Sequence, residues 1–233
     1  MLKTRFGCDR GVANLGWLYG RHSFSFAEYL DPDNMAWGNL RVINEDQIEP
    51  GTGFDTHGHR NMEIVSFMLK GRLEHRDNMG NHTVIPAGDV QRMSAGAGVL
   101  HSEYNPDTSL TNHFFQIWII PNQYNLAPGY EQKTFPLQER KGRLCLIASP
   151  SGEEDSLTIN ADARLFTANL EIGESLSYES IDSRKSYIHV IEGEMSINGI
   201  SLQSGDALKV SGHEIITINA VTEAAFLLFD LAP

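Results

Sequence analysis

The chain has 233 residues, 41% of them hydrophobic and 21% charged, and 18 Lys plus Arg against 30 Asp plus Glu give it a net charge of −12. That length suits one large β domain or two small ones, with a core that needs no disulfides. The charge excludes direct DNA or RNA binding: both halves are acidic, and counterion release needs several Lys or Arg on one face.

The N-terminal "MLKTRFGCDRGVANLGW" has no apolar signal core, and no apolar run reaches the ~18 residues of a membrane span. No membrane partner is therefore expected, and the expected location is the cytoplasm. Cys8 and Cys145 are the only cysteines and match no zinc spacing, so both read as reduced thiols. Next come short runs rich in β-branched and aromatic residues: "LRVINEDQI" (40–48), "EIVSFMLKG" (63–71), "FFQIWII" (114–120), "RLCLIAS" (143–149), "SYIHVIEGEMSI" (186–197) and "AAFLLFDL" (224–231). Turn signals such as "EPGTG", "DNMGN", "IPAGD" and "LQSGD" separate them, and this spacing predicts an all-β sandwich or barrel. Helix is expected only as a turn or two near Ala27 or Glu131.

The chain also echoes itself. Gly71, Gly80 and Gly88 with Asp89 recur as Gly193, Gly199 and Gly205 with Asp206, which predicts two similar β domains in tandem, residues 1–130 and 131–233. The polar, proline-containing stretch 121–142 reads as their connector. Seven of the nine histidines lie in residues 1–120. Counted back from the glycines, Glu179 and Ile181 stand where the first copy has His57 and His59, so any metal belongs to the first domain.

In "FDTHGHRNMEI", His57 and His59 stand at i and i+2, and an extended strand aims both to one face. In "SAGAGVLHSEYNP", His101 and Glu103 repeat that spacing. Together the two strands offer three nitrogens and one oxygen. The set suits one divalent first-row ion, Fe(II) foremost, with Zn, Mn, Co, Ni or Cu as alternatives. Glu63 lies four residues past His59 and would share its face if the chain stays extended. His75, His82 and His113 lack a partner at ligand spacing and read as core or surface, and Phe24, Phe26, Trp37 and Phe54 as core. His22 is within reach of a pocket mouth.

These residues resemble a known family. Gly51, His57, His59 and Glu63 fit the first cupin motif, G-x5-H-x-H-x3-E-x6-G, with Gly71 one residue late; Gly80, Pro86 and Gly88 fit the start of the second. The late histidine at His101, with "GDVQRMSAGAGVLHSE" and the N-terminal "GWLYGRHSFSFAEYLDPDNMAWGNLRVINED", resembles the pirin branch and its bacterial members described as quercetin 2,3-dioxygenases. The resemblance implies a bicupin, two double-stranded β-helix (jelly-roll) barrels with one metal in the first. It implies His57, His59, His101 and Glu103 as ligands and leaves Glu63 beside the site rather than on the ion. A flavonol and O₂ are then the expected substrates, with Glu103 as both ligand and base. The alternative is a metal-dependent interaction or regulatory protein of the pirin coregulator type.

Overall fold

The computed structural model describes residues 1–233 and is almost entirely β. Its α-helix is the four-residue Leu137–Arg140, and no helix is long and apolar enough to cross a membrane. The helical turn expected near Glu131 is instead the strand Gly129–Thr134, whose Glu131 carboxylate accepts a 2.9 Å bond from Arg92 on the neighbouring strand. Cross-strand pairing outweighs the local helix preference there. Ala27 lies in a tight turn with φ 48°.

Four sheets make two barrels. The first barrel joins a seven-stranded sheet to a four-stranded one. In the larger sheet the order is Gly129–Thr134, Asp89–Ser94, Glu63–Lys70, Asn112–Ile119, Leu40–Ile48, Leu18–His22 and Gly11–Asn14. The smaller holds Gly53–His59, Val99–Tyr104, Arg72–Asp77 and His82–Pro86. The second barrel repeats the plan, with Ala207–Ser211, Lys185–Glu192, Ala224–Leu231 and Ala163–Leu170 adjacent in its large sheet and Ser175–Ser180, Glu214–Ala220, Glu194–Ile197 and Ile200–Gln203 in its small one. This is the bicupin architecture.

We propose residues 1–130 and 131–233 as the two units, tied by their edge strands. The strand Leu2–Arg5 pairs with Ala207–Ser211 of the second large sheet, whereas Gly129–Thr134 closes the edge of the first.

Strand alternation decides what each face meets. One face of the first large sheet carries Ile43, Val65, Phe67, Phe115 and Ile117, which share a 22-residue apolar cluster with Leu227, Phe229 and Tyr187 of the second. The barrels thus pack back to back through their large sheets. The opposite face carries a row of directly paired polar residues, Asn44, Gln116, Ser66 and Gln91, each at most 8% exposed. That face looks into the first barrel.

Candidate metal centre

The strand Gly53–His59 lies antiparallel to Val99–Tyr104, with His57 directly opposite His101. Between His101 and Glu103 the register slips, so that Glu103 faces Phe54 and Asp55–Thr56 carry the extra residue of a β-bulge. Bulges re-aim side chains, and this one sits beside the cluster. The rings of His57, His59 and His101 form a nearly even triangle, with centroids 4.8, 4.4 and 4.9 Å apart. Their nearest ligand nitrogens all fall within 4.8 Å of one another. Glu103 stands in a second grouping, with His101 and His75, that meets the same 4.8 Å limit and shares His101 with the first.

Hydrogen bonds set which atoms are free. The His57 Nδ1 lies 2.7 Å from the Asp55 carbonyl, which accepts its N–H and so leaves Nε2 unprotonated for the centre. Gln116 donates to Glu103 Oε2 at 2.8 Å, and Trp118 Nε1 donates to Gln116 Oε1 at 3.2 Å. His101 Nε2 and Glu103 Oε1 are buried with no partner in the chain. Unpaired buried polar atoms are costly. Here one nitrogen and one oxygen are left free on residues grouped with two more imidazoles, a donor set that fits a divalent transition ion.

Electrostatics point the same way. Burial, reinforced by neighbouring imidazoles, drives His59 down to about 4 and His101 to about 2, so both are neutral and able to ligate. Burial pushes Glu103 up to about 7. Asp46, 3% exposed, is raised to about 8 by burial and by the Glu103 carboxylate.

His57, His59 and Glu103 line one cavity of about 290 Å³ whose other walls include Leu15, Leu18, Phe26, Phe54 and Trp118. Phe26 meets Trp118 edge to face at 5.4 Å, and Trp118 meets His59 at 5.0 Å. Phe26 and Phe54, expected in the core, are therefore pocket walls. Phe24 is core, and Trp37 lies at the seam between barrels, where its Nε1 donates to the Ser186 carbonyl at 2.9 Å. His22 lines the cavity and is held by Asn44 at 2.8 Å.

Two residues depart from the sequence reading. Glu63 does not adjoin the cluster: its oxygens accept from Ser94 Oγ at 2.7 Å and from Asn160 Nδ2 at 3.3 Å, on the seam side of the sheet. The chain does not stay extended after His59; it turns at Asn61, at φ 53°, and enters the large sheet at Glu63. His75, read as core or surface, is fully buried behind His101, their Nδ1 atoms 3.5 Å apart, and its Nε2 lies 3.0 Å from Asp77. The i, i+2 spacing of His75 and Asp77 was a signal available in the sequence. His82 is exposed, and His113 pairs with Glu45 at 3.0 Å.

Comparison with known proteins agrees with this geometry. Residues 5–119 match the family model described as Pirin, and residues 146–231 match the quercetinase C-terminal cupin domain. The chain is 42% identical over 233 residues, all of both chains, to quercetin 2,3-dioxygenase of Escherichia coli K12. To the pirin-like protein of Caulobacter vibrioides it is 43% identical over 223 residues, covering 95% of this chain and 96% of the other. The crystal structure of the E. coli bacterial pirin YhhW in complex with nickel(II) superposes with a TM-score of 0.95 at 41% identity, covering 100% of both chains. With a metal-ready cluster in its first barrel and these matches over its full length, the chain belongs to the pirin family of the cupins.

Proposed function

We propose that this protein is a metal-dependent dioxygenase that opens the heterocyclic ring of a flavonol such as quercetin and releases carbon monoxide. One observation carries the reading: His101 Nε2 and Glu103 Oε1 are unpartnered beside an aromatic-walled cavity of about 290 Å³. That size lies near the lower end of small-molecule sites. The relatives named quercetin 2,3-dioxygenase support the substrate class.

We assign His57, His59, His101 and Glu103 as ligands of one divalent ion, Fe(II) by preference, and Glu103 also as the general base. Zn, Mn, Co, Ni and Cu compete for such a donor set, and availability decides among them. When bound, the ion supplies Lewis acidity toward a phenolic hydroxyl and, as Fe(II), the redox capacity that reaction with O₂ requires. Glu103 receives the proton of the flavonol 3-hydroxyl, and the bond from Gln116 to Oε2 holds the carboxyl group in place. Phe26, Phe54 and Trp118 hold the flat substrate and keep water out. The atoms balance without a reductant: both atoms of O₂ bond to the two carbons flanking the hydroxyl-bearing carbon. That carbon leaves with its own oxygen as carbon monoxide, and the remainder is a depside.

Iron-loaded protein under air is expected to bleach the flavonol absorbance with one carbon monoxide per quercetin. His101→Ala loses bound metal and at least about 100-fold in turnover, at or beyond the upper end of what a change outside the ligand set costs. Full metal and full turnover in His101→Ala would end the ligand assignment. Stoichiometric metal without bleaching would move the protein to the binding and regulatory role.

A further inference from the structure

The catalytic cluster lines the 290 Å³ cavity, and the proposed chemistry leaves the strand Leu40–Ile48, which lines it too, without a role. Asp46 of that strand lines the cavity. It is 3% exposed, and its Oδ1 has no hydrogen-bond partner. The neighbouring carboxylate Glu45, one residue earlier and so on the opposite face, is satisfied by Arg10 at 2.6 Å and His113 at 3.0 Å. A buried carboxyl group with an unpaired oxygen is destabilising, and a ligand hydroxyl in the cavity that Asp46 lines would supply a partner.

Local geometry keeps the carboxyl group there. Gly20 pairs directly with Asp46 across the sheet, and a Cβ at position 20 would lie 2.7 Å from Asp46 Oδ1. Any larger residue at 20 forces the carboxyl group to move. The remaining walls are largely apolar. A ligand here therefore meets the Asp46 carboxyl group in addition to the His57–His59–Glu103 cluster.

We infer that Asp46 is a specificity-determining residue that hydrogen-bonds a second hydroxyl of the substrate, one other than the hydroxyl whose proton Glu103 takes. The preferred ligand class is thus a polyhydroxylated flat aromatic rather than a monohydroxylated one. This rests on the dioxygenase reading of the pocket. A site built to bond a hydroxyl discriminates against the analogue that lacks it, because its own polar group is then left unpaired.

The test compares quercetin with 3-hydroxyflavone, which carries only the reacting hydroxyl. Wild-type protein is expected to prefer quercetin, as a ratio of kcat/KM. Asp46→Ala lowers that ratio about tenfold, Gly20→Ala lowers it in the same direction by displacing the carboxyl group, and Asp46→Asn, which keeps a hydrogen-bonding group, restores most of it. Metal content and melting temperature are read for each variant, so a folding defect in Asp46→Ala leaves Asp46→Asn and Gly20→Ala to decide. An equal loss on both compounds, or no change in the ratio, overturns the inference. The same ratio is read without turnover from fluorescence quenching as each compound binds metal-loaded protein. Binding that discriminates without turnover would sink the oxygenase reading and keep Asp46; turnover that does not discriminate would do the reverse.

Discussion

The polar row that crosses the first barrel, Asn44, Gln116, Ser66 and Gln91, has a counterpart in the second. There the same directly paired positions hold Phe166, Leu228, Ile188 and Leu208. The small sheets differ in the same sense: where the first sets Glu103 opposite His75, the second sets Ile218 opposite Ile197, and Ile216 and Tyr178 face each other where His101 faces His57. The second interior is thereby filled by a 15-residue apolar cluster. The first keeps a cavity and several unpaired polar atoms. One strand plan serves both. The comparison teaches that the scaffold does not require the polar interior; the chemistry does, at some cost in stability.

The comparison breaks most visibly if the two rows are exchanged. Ile188→Ser removes buried volume and adds an unpaired hydroxyl, and is expected to destabilise by about 4 kcal/mol in urea unfolding. The matching Ser66→Val replaces a buried hydroxyl that has no partner and stays within about 1 kcal/mol of wild type. Equal costs for the two would mean that the barrels do not differ as described. Within the first barrel, Gln116→Leu frees Glu103 Oε2 and is expected to lower kcat about 30-fold while metal content, by elemental analysis, stays near one per chain. Loss of the ion instead would make Gln116 a support of the metal rather than of the base.

The seam between the barrels contributes the smallest effect. His189 is fully buried on the second large sheet with both ring nitrogens unpaired, and burial with the nearby Arg10 pushes it down to about 3. Its folded pKa lies below the unfolded value, so between pH 6.5 and about 3 the unfolded chain binds the extra proton and stability falls as pH falls. From pH 6.5 to pH 5.5 that loss is about 1 kcal/mol. His189→Leu should flatten it, as read from melts at the two pH values. An unchanged slope would assign the acid sensitivity to the other buried histidines that burial pushes down, His22 and His75 first, and the Glu45 carboxylate acts only at lower pH. Burial works against the charge of Glu45, but His113 and Arg10 outweigh it and hold it down to about 2, so its contribution is complete above pH 4.5 and fades below.

Much of this was readable from the chain. The i, i+2 pairs His57–His59 and His101–Glu103 named the cluster because strand alternation needs only the local backbone. The repeated glycines announced two β units because tight turns demand them wherever they occur. Glu63 and Asp46 were not readable in this way, and the spacing of His75 and Asp77 gave no sign that His75 stands against His101. Glu63 was misplaced because the chain turns at Asn61 and passes from the small sheet into the large one. Glu179, which the glycine count set in the place of His57, faces outward, and Tyr178 takes the inward position. A shift of one residue is enough for that.

The sequence by itself determined the strand pattern, the duplicated plan and which residue types can hold a cation, since these follow from periodicity and side-chain chemistry. Tertiary structure decided which oxygen of Glu103 is free, that His75 stands behind His101, that Phe26, Phe54 and Asp46 share one cavity, and that the large sheets meet back to back. Those facts depend on register, on one bulge and on the packing of strands distant in the chain, and no local pattern encodes them.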